Sequence, residues 1–338
     1  MANRNGTMEH EKYFVLNAEG RLHLNRIHNL NCIEGLKLLP DNSIDCCVTS
    51  PPYFGLRDYG TEEQIGMEET PDKFVQSLTE VFAEVKRVLK PEGTLWLNLG
   101  DTYSAHKDCK SVADTLRVGG NSETANIIDK GKSHSRNSKT LKSVGLKNKD
   151  LIGVPWMVAF ALRSNGWYLR QDIIWNKPNP MPESVTDRCT KAHEYIFLMT
   201  KSAKYYYNAE AIKTKMECSE HDKRSRQGRK RFPTELINGI RGNTPDKIYE
   251  WANKRSVWTV TTKPYADAHF ATFPEDLIVD CIKAGCPIGG VVLDPFMGAG
   301  TTALVSCKLD RNYVGFELNK DYISIATKRL NDELGFFL

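Results

Sequence analysis

The 338-residue chain has no apolar run approaching the ~18 residues that a membrane-spanning helix requires. Its start, Met1-Ala2-Asn3-Arg4, lacks the short apolar segment that directs secretion. Its nine cysteines form no C-x-x-C pair and no Cys/His cluster with zinc spacing, so no metal site is expected. An odd number of scattered thiols without a disulfide framework fits a reducing, cytoplasmic compartment. No internal repeat is visible, and no G-x-S-x-G surrounds any serine in the manner of a hydrolase nucleophile. Membrane proteins, disulfide scaffolds, zinc modules, solenoids and serine hydrolases are thereby set aside. The 40% hydrophobic and 26% charged content is that of a globular protein able to build one large α/β domain with an accessory lobe.

Charge is small overall, at +4, but unevenly placed. Residues 102–150 hold ten Lys/Arg against five Asp/Glu, and residues 201–255 hold fourteen against seven. Those two segments carry +12, leaving −8 on the rest. A solvated loop surface would explain either segment alone. Two in one chain point to a polyanion, because neutralised phosphates release condensed counterions.

Hydrophobic periodicity lays out alternating strands and helices. Residues 44–49 read as a buried strand opening into Pro51-Pro52. Phe74, Leu78, Val81, Phe82, Val85 and Leu89 recur at helical spacing across 71–90, and Pro91-Glu92-Gly93 is expected to end that helix. Further strands are expected at 94–99, 168–175, 194–200, 291–293 and 313–317, and helices at 154–165, 273–284, 301–309 and 321–334. Such alternation predicts a mostly parallel sheet. Residues 102–150, rich in Ser, Asn, Lys and Gly, read as a long mobile loop.

Two stretches carry chemistry. Asp294-Pro295-Phe296-Met297-Gly298-Ala299-Gly300-Thr301-Thr302 joins a strand to a helix, and Glu317 closes the next strand. Glycines let a backbone turn tightly against a ligand, a helix start offers unpaired N–H groups, and the later acid can accept ribose hydroxyls. By itself this pattern also fits a nicotinamide dehydrogenase, or a turn that serves only helix–sheet packing. The acid ahead of the glycines favours a cationic methionyl group over a pyrophosphate. The other stretch is Thr49-Ser50-Pro51-Pro52-Tyr53. Its prolines stiffen the loop and leave carbonyl oxygens available, Ser50 Oγ and the Pro51 carbonyl can accept hydrogen bonds from an amino group, and Tyr53 can stack on a planar base. Taken alone it reads more readily as a proline-stiffened turn or a polyproline ligand.

Together, TSPPY and DPFMGAGTT resemble the amino-methyltransferases of DNA, which make N4-methylcytosine or N6-methyladenine. Arg255-Ser256-Val257-Trp258 is similar to the family's R-x-V-W stretch, and His269-Phe270-Ala271-Thr272-Phe273-Pro274 to its element ahead of the glycine motif. The catalytic motif precedes the cofactor motif, the order of the β class. The resemblance implies a Rossmann-like methyltransferase fold with a mostly parallel sheet and a small target-recognition region. It divides the chain into 1–101 (catalytic-motif half), 102–150 (basic loop), 151–200 (continuation), 201–257 (target recognition) and 258–338 (cofactor half). It implies Ser50, Pro51, Pro52 and Tyr53 as catalytic residues. It implies S-adenosylmethionine as cofactor, held by Asp294, Pro295, Phe296, Gly298, Gly300, Thr301, Thr302, Glu317, Asn31 and Phe273. Lys223, Arg224, Arg226, Arg229, Lys230 and Arg231 are the expected contacts to double-stranded DNA. A homodimer and a separately encoded restriction endonuclease are compatible partners, in a bacterial, archaeal or phage setting.

Two departures stand out. Leu30-Asn31-Cys32 occupies the place where relatives often carry Gly-Asp, so the adenine contact falls to an amide. Ser50, a poor base at neutral pH, stands where others carry Asp, which makes it a hydrogen-bond acceptor and favours N4 of cytosine over N6 of adenine. The released proton can go to a water or to a nearby carboxylate, for which Asp58 and Asp101 are the candidates. An oxidoreductase using a dinucleotide at Gly298 and Gly300, or a DNA-binding protein without catalysis, are the competing functions.

Overall fold

The computed structural model describes residues 13–14, 22–55, 64–104, 144–215, 250–262 and 273–335. The chain divides into two compact units, residues 1–207 with 256–338, and residues 208–255.

The larger unit is built on an eight-stranded sheet. Its strands are β3 (Arg26–His28), β4 (Ile44–Thr49), β5 (Leu89–Leu99), β6 (Tyr168–Asn176), β7 (His193–Thr200), β10 (Val257–Thr259), β11 (Val291–Asp294) and β12 (Asn312–Phe316). Their order is β10-β6-β7-β5-β4-β11-β12-β3. Only β7 runs against its neighbours; every other pairing is parallel. A two-stranded ribbon of β1 (Tyr13–Phe14) and β2 (Leu22–His23) forms a separate sheet. The smaller unit contains a 3-10 turn at Glu210–Ile212 and an antiparallel pair, β8 (Thr214–Lys215) with β9 (Trp251–Ala252).

Helices cover both faces. Against Cys47, Leu95, Leu97 and Leu99 lies a core shared with α1 (Cys32–Lys37), α2 (Pro71–Val88) and α3 (Val154–Ser164). On the other face, α4 (Glu275–Gly285) approaches so closely that a Cβ on Gly285 would collide with Trp96 Nε1 and stand 2.5 Å from Thr94 Oγ1. The alternation of Thr94 and Trp96 with Leu95 and Leu97 is the period of a strand buried on both sides. α5 (Thr301–Lys308) and α6 (Lys320–Leu334) complete this second layer, tied by Arg329, which donates to Thr301 Oγ1 (2.9 Å) and Glu275 (2.8 Å).

α2 begins as its sequence suggests, with Thr70 Oγ1 accepting from the Lys73 N–H and Pro71 in the first turn. Its end differs from expectation. Leu89 is already extended and opens β5 without an intervening turn. The ladder with β4 then jumps from Ile44–Leu89 to Cys46–Thr94, so Lys90-Pro91-Glu92-Gly93 bulges out of an otherwise continuous strand. Proline lacks the N–H that the ladder needs, which is why the bulge falls there.

From β4 the chain proceeds to β5 on one side; from β11 it proceeds to β12 on the other. β4 and β11 are adjacent and parallel, with Cys46 opposite Val292 and Cys47 opposite Leu293. That is a topological switch point, where the loops leaving the strands' carboxyl ends diverge and open a crevice for a ligand.

The segment expected to be a mobile loop, 102–150, lies outside the described residues between 105 and 143. Its two ends are pinned together. Tyr103 bridges Leu151, the Ser104 N–H donates to Asp150 O (2.8 Å), and the Ile152 N–H donates to Thr102 O (3.0 Å).

Candidate active site

The loop leaving β4 is held at both ends. Thr49, fully buried, donates from Oγ1 to Asp294 Oδ1 at 2.6 Å. Phe54, also buried, packs in the main core with its ring 5.5 Å from Phe74 of α2. Between them Pro51 is buried and Ser50, Pro52 and Tyr53 are half-buried. Gly66 lies against this loop: its φ is +108°, and a Cβ there would stand 3.2 Å from Tyr53 O and 3.3 Å from Pro52 Cβ. A larger residue would push the loop from Ser50 to Tyr53 away.

The loop leaving β11 meets the first across Asp294, which is 1% exposed. Asp294 Oδ1 accepts from Thr49 Oγ1 and from the Phe296 N–H (3.0 Å), and Oδ2 accepts from Thr302 Oγ1 (2.6 Å). Burial pushes its pKa up to about 6, the three hydrogen bonds resist that rise, and the nearby Glu317 charge adds to it. Gly298 and Gly300 have φ of +53° and +77°. At Gly300 a Cβ would stand 2.8 Å from Ala326 Cβ of α6, so helix packing demands glycine. At Gly298 the nearest atom would be Phe296 O at 4.0 Å, so this backbone faces open space that a ligand can approach.

Glu317 follows β12. Its Oε2 accepts from the Gly298 N–H and its Oε1 from the Asn319 N–H, both at 2.8 Å. Burial raises its pKa, against the pull of those backbone donors. Asn31 Oδ1 caps α1 by accepting from the Ile33 N–H (2.9 Å). Pro295 is buried, Phe296 packs against the main core, and half-buried Phe273 precedes the first residue of α4 by two positions. Thr301 and Thr302 use their hydroxyls within the protein, on Arg329 and Asp294, leaving backbone at the helix start for a ligand. A half-buried glycine backbone with open space beside it, a helix start and a strand-end carboxylate are the groups a nucleoside with an amino-acid tail needs, so the residues present fit S-adenosylmethionine.

A third cluster was not anticipated from the sequence. Tyr53 Oη donates to Glu194 Oε2 at 2.6 Å and lies 3.3 Å from Asn98 Oδ1. With a single proton to give, the short contact to the carboxylate takes it. Asn98 Nδ2 donates to the same Glu194 oxygen (3.2 Å) and to Tyr195 O (3.1 Å). Glu194 Oε1 is ion-paired with Lys177, whose ammonium lies 4.2 Å from the Trp175 ring centroid. Beneath the tyrosine ring, a Cβ on Gly100 would come 2.6 Å from Cε2. These residues come from the ends of four strands, β4, β5, β6 and β7, which the antiparallel register of β7 brings together and no local sequence signal announces.

Ser50 and Tyr53, Asp294 and Gly298, and Glu317 thus end or follow the adjacent parallel strands β4, β11 and β12, at the carboxyl edge of the sheet. Asp101, considered as a proton acceptor, instead accepts at Oδ1 from the N–H groups of Thr102, Gly153 and Val154, capping α3. Asp58, His269, Phe270, Ala271, Thr272 and the cations Lys223, Arg224, Arg226, Arg229, Lys230 and Arg231 lie outside the described residues. Among the described residues no group of His, Cys, Asp or Glu is placed to hold a metal, and no helix is long and apolar enough to cross a membrane.

A family model described as DNA methylase matches residues 44–328. The type II methyltransferase M.Cfr9I of Citrobacter freundii is 45% identical over 304 residues, covering 88% of this chain and 85% of that protein. The cytosine-N4-specific PvuII DNA methyltransferase aligns with a TM-score of 0.59 at 16% identity, over 91% of this chain and 92% of the other. A DNA modification methylase of Thermus thermophilus, solved in complex with S-adenosyl-L-methionine, aligns with a TM-score of 0.56 at 22% identity, over 92% and 95%. With the loop of Thr49 to Tyr53 and the glycine loop joined at the switch point, the chain belongs to the N6/N4 DNA methylases, the S-adenosylmethionine-dependent amino-methyltransferases of DNA.

Proposed function

We propose that this enzyme methylates N4 of a cytosine flipped out of double-stranded DNA. The carrying observation is the Thr49–Asp294 hydrogen bond, which fixes the loop meant for the base against the loop meant for the cofactor. Glu317 and the backbone from Gly298 to Thr302 hold the cofactor, with Asn31, Phe296 and Phe273 around its adenine. Asp294 adds negative charge beneath the methionyl end. Bound there, S-adenosylmethionine supplies an electrophilic methyl group.

Ser50 Oγ and the Pro51 carbonyl accept hydrogen bonds from the two amino hydrogens and orient the nitrogen lone pair toward the methyl group. Tyr53 stacks on the base, its ring set by Gly100 below and Glu194 at the hydroxyl. Transfer is direct, with no covalent enzyme intermediate. Ser50 need not remove a proton first, since the nitrogen becomes strongly acidic once alkylated, and water takes the proton afterwards. Positioning of this kind lowers a barrier by several kcal/mol. No cysteine nucleophile is required, and burial raises the thiol pKa of Cys32, Cys46, Cys47 and Cys286, which keeps these four protonated.

Ser50 rather than Asp at the first motif position supports cytosine over adenine. Residues 201–257, with Lys223, Arg224, Arg226, Arg229, Lys230 and Arg231, recognise the target and its phosphates. The type II names of its relatives support a separately encoded endonuclease and a cytoplasmic, bacterial setting. Methyl incorporation into unmodified DNA tests the site: Ser50→Ala and Tyr53→Ala each lose most turnover while retaining cofactor binding by calorimetry. Wild-type turnover in both variants would overturn the assignment.

A further inference from the structure

Between β6 and β7, residues 177–192 form a loop at the edge that carries the catalytic loop. Its base is closed by the Lys177 N–H donating to Ala192 O at 2.8 Å. Lys177 is ion-paired with Glu194, the acceptor of the Tyr53 hydroxyl, so this base stands beside the catalytic tyrosine.

The loop is fastened at several points. Asn179 and Thr262 clasp each other, Asn179 Nδ2 donating to Thr262 O (3.1 Å) and the Thr262 N–H donating to Asn179 Oδ1 (3.0 Å). Arg188 lies 3.9 Å from the Tyr103 ring centroid and is ion-paired with Glu183 at 2.6 Å. Within this frame runs Pro180-Met181-Pro182, and Met181 is 85% exposed, more than any other large hydrophobic residue described. Flanking prolines restrict the backbone, and the Asn179 clasp holds one side of it. An apolar side chain held outward on a braced support contributes little to the core and is available to a partner.

We propose that Met181 is a wedge that enters the DNA duplex and fills the gap left by the flipped base. This rests on the reading that the target base is flipped into the site beside Tyr53. Extrusion loses stacking and pairing, and apolar side chains including methionine recover part of that cost by stacking within the opened step. Methionine's unbranched, polarisable thioether suits a gap whose flanking bases vary. The braced loop delivers the side chain without ordering a mobile segment on binding. Protein partners would also take an exposed methionine, but the loop's base is tied through Lys177 and Glu194 to Tyr53, beside the site proposed for the flipped base, which favours the duplex.

The test compares Met181→Ala and Met181→Leu with wild type on two duplexes carrying the site mapped from methylated DNA. One is fully paired; in the other the target base faces an abasic position, is unpaired and flips at lower cost. On paired duplex Met181→Ala is expected to lose about tenfold or more in kcat/KM, with Met181→Leu restoring most of it. On the abasic duplex Met181→Ala should match wild type within about twofold, with cofactor affinity unchanged. Equal loss on both duplexes, or no loss on either, overturns the wedge. A wild-type enzyme that transfers methyl groups to neither duplex overturns the proposed function, and the wedge with it.

Discussion

Thr49 and Asp294 lie 245 positions apart and share a 2.6 Å hydrogen bond at full burial. One ends the strand that leads to Ser50, the other ends the strand that leads to Gly298. The bond therefore fixes the loop that follows β4 against the loop that follows β11.

Removing it should harm both stability and rate. Thr49→Val keeps the shape but leaves Asp294 without one donor, at a cost of about 1–3 kcal/mol. Turnover should fall at least tenfold, about 1.4 kcal/mol of barrier, while Thr49→Ser retains most of it. Denaturant unfolding and steady-state assays check this, and a Thr49→Val enzyme of unchanged stability and rate would contradict it.

Glu194 should act through Tyr53. Tyr53→Phe removes the hydroxyl, and Glu194→Gln weakens its acceptor while disturbing the Lys177 pair. Each should lower kcat by about three- to thirtyfold without changing cofactor affinity. The double variant should be no slower than the worse single one, because both remove one interaction. Multiplying losses would show that Glu194 works elsewhere.

Asp294 gives the stability a pH signature. Its folded pKa, about 6, lies above the ordinary aspartate value, so the folded state binds more protons between pH ~4 and 6. This group's contribution therefore declines as pH rises through that window and is constant above it, a change on the order of 3 kcal/mol. Comparing unfolding free energies of wild type and Asp294→Asn from pH 4 to 7 should show the wild type losing ground to the variant as pH rises. A constant difference would contradict the raised pKa.

Cofactor affinity should depend on Glu317 and Gly298. Glu317→Ala removes the acceptor beside Gly298, and Gly298→Ala forces a side chain at φ +53°, costing about 1 kcal/mol before any clash with a ligand. Calorimetry with S-adenosylmethionine should show at least tenfold weaker binding for each, an expected loss of about 1.4 kcal/mol. Unchanged affinity in Glu317→Ala would remove the carboxylate from the cofactor site.

The order of strands and helices was legible because hydrophobic period and glycine or proline punctuation are local properties of the chain. The end of α2 was misplaced, since Pro91 and Gly93 signal a break but not whether it falls before a strand or within one. The two loops were readable from their own residues, yet Asp294 looked like a ligand contact when its carboxylate also fastens Thr49 and Thr302. Glu194, Asn98 and Lys177 were invisible because their meeting depends on the antiparallel register of β7. The choice of base rests on one hydroxyl, Ser50, weighed against a family habit.

The most direct test is mass spectrometry of nucleosides from unmodified DNA incubated with the enzyme and S-adenosylmethionine. N4-methyldeoxycytidine should appear with the wild type and fall to background with Ser50→Ala. N6-methyldeoxyadenosine in its place would contradict the assignment of the base, and no methylated nucleoside at all would contradict the account.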